Sequence, residues 1–484
     1  MNEEIGYVIE TRDFLVYLDG FPSIHINDMV ESEEGLRGWV NALEEDKIEV
    51  MLLDDGSITP GQSFRKMPQT LSISAGDFLL GRAINPLGIP IDGKGIFSKT
   101  KLSLNLDLEQ AARGIQSRKF ITDQFITGIT LIDMLIPIGK GQRQLLIGDA
   151  HSGKTSFLID LIVNQKGKET ICIYASIGKP VSAVKDLIDV LKANKALSYT
   201  IVVASTSMEV APLIFLTPKT AFTLAEYYQK KGLDVLVILD DLGIHAKIYR
   251  EMSLLAGKSP GRESYPGDIF YQHAHIIERA GNFRPEFGGG SITAIPVIEL
   301  NLTDFTGFIP TNLMAMTDGH WLFKSTLHAI GQRPAIDISL SVSRVGRQTQ
   351  NLMSNLISQR IRQILSQAEE LQTISHFSSE LPAQTQLILL QKALIQQALI
   401  QEILNFVPKE IQMILLGLIL TSYLPAKGIE FFINYKKNII NAFTTNPQLI
   451  QISKSLPNMK NEDELIKALE AKSALLDSLI TKQV

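Results

Sequence analysis

The first part of the chain alternates apolar and polar positions in short runs that are separated by turn residues. Runs at 7–10, 14–18, 47–53 and 70–73 have the period-2 pattern and β-branched content of strands. Asp19-Gly20 and Asp55-Gly56 stand between such runs, where hairpin turns are expected. Several short strands in so few residues predict a small antiparallel β-barrel, with a domain boundary at residue 72.

The pattern of the middle of the chain changes to apolar runs alternating with helical periods. Strands are predicted at 144–149, 169–177, 200–206 and 235–241, and helices between them, for example at 181–193 and 220–231. This order predicts a parallel sheet with helices on both faces. We assign residues 73–350 to this domain. Its first part, 80–143, is expected to be connecting material that includes an apolar, helical run at 126–138.

Beyond residue 350 the apolar positions follow a helical period. Of 34 glycines, only Gly417 and Gly428 lie in this part. We therefore predict an all-helical domain over 351–484. Its most apolar run, 411–424, is too short to span a bilayer, which takes about 20 residues. The predicted fold is thus multidomain α/β, with a β-barrel, a central parallel sheet and a helical bundle.

Composition narrows the possible functions. The net charge of −5 argues against nucleic acid as the main partner, since such binding needs a basic surface. Cys172 is the only cysteine and lies in an apolar run, so we expect a core thiol and no disulfide framework. The acidic N-terminus has no signal-peptide or transit-peptide pattern.

A phosphate-binding motif follows the first strand of the predicted sheet. It fits G-x-x-x-x-G-K-[ST] and leads into a helical run at 156–162. Its glycines let successive backbone N–H groups point at phosphate oxygens, and the helix adds the positive end of its dipole. The lysine is predicted to reach the β and γ phosphates, and the final hydroxyl to bind Mg²⁺. The residues are Gly148, Asp149, Ala150, His151, Ser152, Gly153, Lys154 and Thr155.

A second candidate for the Mg²⁺ site is the carboxylate pair that ends the strand at 235–241. In phosphate-loop enzymes an Asp at the carboxyl end of a strand helps to hold the metal. Asp240 is therefore predicted to share the ion with Thr155. An ordinary strand end is the alternative, and the phosphate loop upstream makes the metal site the better interpretation.

Longer motifs resemble one family, the alpha subunits of F-type ATP synthases, which are rotary ATPases. The resemblance covers nearly the whole chain and is far more specific than the phosphate loop alone. Three groups of segments show the resemblance. The first is Ile136–Thr155, and the second comprises Tyr249–Leu255, Pro260–Tyr271 and Glu278–Ala280. The third comprises Gly288–Glu299, Thr317–Gly319, Arg333–Ile336 and Ser341–Gly346.

The resemblance implies an assembly and its ligands. Three such subunits would alternate with three beta subunits in a ring around a central gamma stalk, with peripheral stalk subunits and a membrane-embedded ion-translocating sector. ATP or ADP and Mg²⁺ would be the ligands. The chain would lie peripherally on the cytoplasmic face of a bacterial inner membrane, and the complex would couple ATP synthesis or hydrolysis to ion transport.

The resemblance also assigns residues. Catalytic relatives carry a Glu that orients the attacking water where this chain has Lys179, and the alpha family has Gln there. An ammonium cannot accept a hydrogen bond from water, so the chain is expected to bind nucleotide without turning it over. Lys179 itself would pair with a phosphate or be a solvated surface residue. Arg344 would reach into the neighbouring beta-subunit site as an arginine finger, and Ser341, at the start of the same segment, would be a second catalytic-site residue.

Some stretches depart from the family pattern. Arg333 and Pro334 would line an adenine pocket, but the stretch 400–404, nearest to the other half of that pocket, does not match the family. Residues 5–8 already match the start of the barrel, so either attachment to the peripheral stalk differs or the start of the sequence is truncated. A divergent branch, such as an alternative bacterial ATP synthase, is the hypothesis that these departures suggest.

Three other functions stay open on the sequence. A self-catalytic ring ATPase of the secretion type would need the carboxylate that Lys179 replaces. An RNA-translocating ring related to Rho would need a basic N-terminal domain. The family's loop has Arg and Gln where this chain has Ala150 and His151. A structural ring subunit that has lost nucleotide binding fits these changes and the altered adenine stretch, but not the intact Lys154-Thr155.

Overall fold

The computed structural model describes residues 4–97, 103–300, 306–375 and 382–481. By their contacts, the described residues form two compact units. The first contains the chain up to Phe120 together with Lys140–Ala150 and Gln165–His320, and the second contains Ile121–Gly139, His151–Asn164 and the chain from Trp321 onwards. The predicted three-domain boundaries stay a prediction.

The N-terminal barrel is confirmed. Six strands close it in the order β1-β2-β5-β4-β3-β6, every neighbouring pair antiparallel. Its core includes Leu15, Val30, Val40 and Phe64, none of which is more than 1% exposed. The strands are β1 Ile5–Arg12, β2 Leu15–Asp19, β3 Asp28–Ser32, β4 Arg37–Leu43, β5 Ile48–Leu52 and β6 Ser63–Thr70.

The two predicted hairpin turns are wrong. Asp19-Gly20 follows β2, but β2 pairs with β1 and β5 and not with the next strand. Asp55-Gly56 follows β5, which pairs with β2 and β4 and not with β6. Both dipeptides therefore lead into longer connections of the closed barrel. The β1–β2 hairpin turns instead at Asp13, whose φ of 55° is left-handed.

The predicted strand at 70–73 is also wrong as a single element. Thr70 ends β6, and the next strand, β7 Ser72–Ala75, leaves the barrel to pair with β9 Leu104–Asp107. Leu71 between them is buried, so the apolar alternation runs across the break.

The first unit also contains a parallel sheet, as predicted. Its strands lie in the order β8-β12-β11-β13-β15-β10, all parallel, with the short β14 antiparallel beside β15. The strands are β8 Ala83–Ile84, β10 Leu145–Asp149, β11 Ile171–Lys179, β12 Thr200–Thr206, β13 Asp234–Asp240, β14 Gly281–Asn282 and β15 Ser291–Leu300. All four strands predicted here are present, and the carboxyl ends of β11 and β13 lie side by side.

The middle of the chain also contains helices and further short strands. The predicted helix at 181–193 is confirmed, and the one at 220–231 begins earlier than predicted, at Ala211. The elements are α1 Lys154–Val163, α2 Val181–Ala193, α3 Ala211–Lys230, α4 Leu242–Leu255, α5 Ile269–Ile277, α6 Phe308–Met316, β16 Gly319–Phe323, α7 Ser325–Ala329 and β17 Val342–Ser343.

Two predictions about the connecting material need correction. The segment at 80–143 is not only connection, because it supplies β8 and β9. The apolar run at 126–138 forms a single π-helical stretch, Leu131–Leu135, and not a longer α-helix. Asp133 inside that stretch is fully buried and accepts hydrogen bonds from Thr127, Gly128 and Gln412, which ties the run down by side-chain contacts.

The C-terminal part is helical, as predicted. Its helices are α8 Leu352–Ser375, α9 Ala383–Leu399, α10 Lys409–Leu420, α11 Tyr423–Thr445, α12 Pro447–Ser455, α13 Glu462–Glu470 and α14 Ser473–Thr481. In α10 the residues from Ile411 to Ile419 are all buried, which makes it the central helix of this bundle.

A search of the described residues finds no single helix long and apolar enough to cross a membrane. One helix pair, α10 with α11, passes the same test only when taken together across a bend of 118°.

Candidate functional site

The phosphate-binding motif has the predicted strand–loop–helix form. β10 ends at Asp149 and α1 begins at Lys154, with Gly153 as its N-cap residue at a left-handed φ of 87°. His151 also has a left-handed φ, of 57°, and is exposed, as expected for a loop residue. The motif thus turns sharply into a ten-residue helix, whose N-terminus is a favourable place for an anion.

The two residues predicted to act on phosphate and metal differ in exposure. Lys154 is buried at the start of α1, whereas Thr155 is exposed. The ring of His328 lies against the loop, because a Cβ placed on Gly153 would come 3.1 Å from His328 Cδ2. Glycine is therefore favoured at 153 by its left-handed φ, and a side chain there would also displace the His328 ring slightly.

Arg333 and Pro334 line a small cavity, and their role in an adenine pocket stays a prediction. Gln401 and Glu402, from the stretch that does not match the family, line it too. The N–H of Gln401 donates to the Arg333 carbonyl at 2.7 Å, which fixes the two segments together. The cavity volume is about 40 Å³, whereas small-molecule sites usually measure about 300–1,000 Å³. A purine would enter only if these side chains moved apart.

Asp160 contributes a buried carboxyl to the same cavity. Burial raises its pKa to about 6, although the N–H of Leu404 donates to its Oδ1 at 2.9 Å. This carboxyl is mostly ionised at neutral pH and half ionised at about pH 6, so the charge beside the cavity falls with modest acidification.

Replacing Asp160 by asparagine tests this environment. The folded-state pKa lies above the ordinary value of about 3.9, so the contribution of Asp160 to stability is full below that value. It is lost as the pH rises through about 6. We expect Asp160→Asn to gain about 1 kcal/mol at pH 8 over the parent, after allowing for solvent screening, and little at pH 4. Melting curves at both pH values, with the exposed Asp186→Asn as control, measure the difference. A gain that is equal at both would contradict it.

The carboxylates at the end of β13 form a compact cluster with Lys179. Its Nζ lies 3.0 Å from Asp240 Oδ1 and 3.4 Å from Asp241 Oδ2. The hydroxyl of Tyr174 donates to Asp240 Oδ2 at 2.7 Å, and the N–H of Ile244 donates to Asp241 Oδ1 at 2.7 Å. The cluster is therefore a network of hydrogen bonds and ion pairs at the carboxyl ends of the two strands.

The electrostatics of the cluster keep Lys179 charged. Burial by itself lowers the pKa of Lys179, but the carboxylates of Asp240 and Asp241 outweigh it and raise that pKa above the ordinary value. Burial raises the pKa of Asp241, with Lys179 opposing it. Only 23% of the Lys179 side chain is exposed, so the interpretation as a solvated surface lysine is wrong.

The segment that carries Arg344 is held by its serines. Ser341 Oγ donates to the Asp337 carbonyl at 2.5 Å and accepts from the Leu322 N–H at 2.9 Å. Ser343 Oγ donates to the Pro137 carbonyl at 2.5 Å. A Cβ at Gly346 would overlap that same carbonyl group, so only glycine permits this approach.

Arg344 directly follows Ser343 and, unlike these anchors, has an exposed side chain. It is exposed, and within the described residues its guanidinium has no hydrogen bond or ion pair. A guanidinium that makes no hydrogen bond within the described chain, on a backbone that is held in place, is suited to bind an anion on another molecule.

Comparisons with known proteins agree with these features. The model of the ATP synthase alpha/beta family, nucleotide-binding domain, matches residues 128–343. The ATP synthase subunit alpha of Metamycoplasma arthritidis is 39% identical over 471 residues, which is 96% of this chain and 88% of the relative. The chain belongs to the ATP synthase subunit alpha family.

Other members of the family are similarly related. The subunit alpha of Mycoplasmoides gallisepticum is 38% identical over 473 residues, covering 97% of this chain and 90% of its own. That of Mesomycoplasma hyopneumoniae strain J is 41% identical over 435 residues, covering 89% and 85%. The family assignment therefore rests on nearly the full chain and includes a nucleotide-binding domain.

Sequence reasoning missed part of the site of this alpha-family chain. It singled out Asp240 and Lys179 separately but did not join them, and it did not name Tyr174. Parallel pairing places Ser176 beside Asp240, so Tyr174 and Lys179, on either side of Ser176, can both reach that strand end. A lysine at the end of one predicted parallel strand and two carboxylates at the end of another were the available signal.

Proposed function

We propose that this alpha-family chain is a nucleotide-binding, non-catalytic subunit that supplies Arg344 to the active site of an adjacent beta subunit. The observation that carries the proposal is the exposed Arg344 guanidinium on a segment fixed by Ser341 and Ser343. In this proposal Arg344 is the catalytic residue in trans, and Ser341 is a positioning residue that holds the segment.

The absence of turnover by the chain itself is supported by the Lys179 cluster. Hydrolysis needs a group that accepts a proton or hydrogen bond from the attacking water. At the strand end where catalytic relatives carry a carboxylate, this chain presents an ammonium, which is a donor only. The nearby Asp240 and Asp241 are both bound to that ammonium.

Nucleotide binding is assigned to the loop Gly148–Thr155. Lys154 would neutralise phosphate charge, the N-terminus of α1 would stabilise it further, and the Thr155 hydroxyl would ligate Mg²⁺. Asp240 is the second residue that the sequence assigned to that ion, although its Oδ1 already has the Lys179 ammonium at 3.0 Å. Arg333 and Pro334 would contact the base once the cavity beside them widens.

The partners follow from the family. We propose an alternating ring with beta subunits around a central gamma stalk, joined to peripheral stalk subunits and to a membrane-embedded ion-translocating sector. The chain would then lie peripherally on the cytoplasmic face of a bacterial membrane. ATP synthesis or hydrolysis coupled to ion movement would be the activity of the whole complex.

The test is ATP turnover by the purified chain, alone and reconstituted with its cognate beta and gamma subunits. We expect no turnover by the chain alone and steady turnover by the reconstituted complex. Robust hydrolysis by the chain alone would overturn the proposal and would favour a self-catalytic ring ATPase.

A structural subunit without nucleotide binding is the second candidate, because the cavity beside Arg333 is only about 40 Å³. Calorimetric titration of the chain with ADP separates the two functions. Saturable binding that is lost in Lys154→Ala supports the nucleotide-binding subunit. No heat of binding, in a complex that still turns over ATP, would support the structural one.

A further inference from the structure

The Asp240–Asp241 cluster leaves no carboxylate oxygen without a partner. The two oxygens of Asp240 accept from Lys179 and Tyr174, and those of Asp241 accept from Ile244 and Lys179. One ammonium therefore bridges two carboxylates that are otherwise buried, with side-chain exposures of 10% and 6%.

A magnesium ion would need one of these oxygens. Mg²⁺ binds oxygen ligands at about 2.0–2.1 Å in near-ideal octahedral geometry. The oxygen of Asp240 that it could take, Oδ1, already has the Lys179 ammonium at 3.0 Å. The second oxygen accepts from the Tyr174 hydroxyl. Each carboxylate oxygen can accept more than one bond, but an ion on Oδ1 would lie beside the ammonium, so direct coordination by Asp240 does not fit unless Lys179 moves.

The position of Lys179 is fixed by the fold. β11 and β13 are adjacent and parallel, with Ser176 paired to Asp240, so β11 ends with Lys179 close to both carboxylates. A divalent ion at Asp240 would also be repelled by the ammonium, and at such short range this repulsion exceeds thermal energy even at a high effective dielectric constant.

We propose that the Lys179 ammonium takes the place of the divalent cation at Asp240, so that this chain binds nucleotide with only weak dependence on Mg²⁺. The inference rests on the proposed nucleotide-binding function and specifies the cation requirement of that site. The Lys179 ammonium, within 3.4 Å of both carboxylates, offsets their negative charge without a metal ion.

The experiment is calorimetric titration of the full-length chain with ADP, in excess Mg²⁺ and in EDTA. For the wild type we expect the two dissociation constants to agree within about threefold. For Lys179→Gln, which frees both carboxylates, we expect Mg²⁺ to tighten binding by about tenfold or more. Electron paramagnetic resonance of Mn²⁺ in the presence of ADP gives a second readout, with tighter Mn²⁺ binding by Lys179→Gln.

Two control variants distinguish the effect of the Lys179 charge from a general loss of structure. Lys179→Arg keeps the positive charge and should behave as the wild type, and so should Lys185→Gln, which removes an exposed lysine from the following helix. The wild-type comparison needs no variant to fold. A tenfold or greater loss of wild-type affinity in EDTA overturns this inference alone, whereas no ADP binding by any of these proteins overturns the proposed function with it.

Discussion

Replacement of Arg344 by alanine is expected to lower ATP turnover of the reconstituted complex by about 10³–10⁵-fold, the range associated with an arginine finger. The guanidinium spreads its charge over a planar fork that matches the oxygens of a transferring phosphoryl group. Because Arg344 makes no hydrogen bond or ion pair with the rest of the described chain, its removal should leave the melting temperature and ADP affinity of the isolated chain unchanged.

Two further variants make the Arg344 test specific. Arg360→Ala removes another exposed arginine, which donates to Gln363 at 3.0 Å, and should keep full turnover. Arg344→Lys keeps the charge but not the fork and should recover only a small part of the rate. Turnover of Arg344→Ala within tenfold of the wild type would mean that the finger comes from elsewhere.

Replacement of Glu226 by alanine is expected to destabilise the chain by about 3–5 kcal/mol, because it leaves a buried arginine without its counter-charge. Arg279 Nε donates to Glu226 Oε1 at 2.7 Å, and the two side chains are only 2% and 6% exposed. Arg279 also donates to Thr223 Oγ1 at 2.9 Å, which holds the guanidinium in place after its partner is removed. Urea unfolding followed by circular dichroism measures the loss.

A surface pair and a double variant are the comparisons for Glu226. Glu31→Ala, which removes the partner of the half-exposed Arg65, should cost no more than about 1 kcal/mol. Replacing both buried partners, as in Glu226→Leu with Arg279→Met, should recover much of the loss, since no buried charge then stands alone. An unfolding midpoint of Glu226→Ala equal to that of Glu31→Ala would refute the expectation.

Much of the fold could be predicted because each part has its own hydrophobic period. The strands β10, β11, β12 and β13 are continuous apolar runs, since both faces of a parallel strand are covered, and all four lie where they were predicted. The barrel itself was predicted, but its pairing was not. Alternation shows which residues point inward in a strand and says nothing about which strands are neighbours, so the turns at Asp19 and Asp55 were misassigned.

The candidate site could also be predicted only in part. The phosphate loop could be predicted from the sequence because its residues are contiguous and each residue type has a chemical role. The long motifs around Arg333 and Arg344 were readable through their resemblance to alpha subunits. The ion pairs of Lys179 could not be predicted from the sequence. Its partners Asp240 and Asp241 are distant in the chain and come close to it only because β11 pairs with β13.

The sequence by itself determined the family, the order of barrel, parallel sheet and helices, and the identity of the phosphate loop, because these depend on local period and contiguous motifs. Only the tertiary structure decided that Lys179 binds the carboxylates of Asp240 and Asp241, that Ser341 and Ser343 anchor the segment of Arg344, and that Gln401 joins Arg333 at a narrow cavity. These features depend on which distant segments meet, and that is set by strand pairing and packing across the chain and not by any single stretch of it.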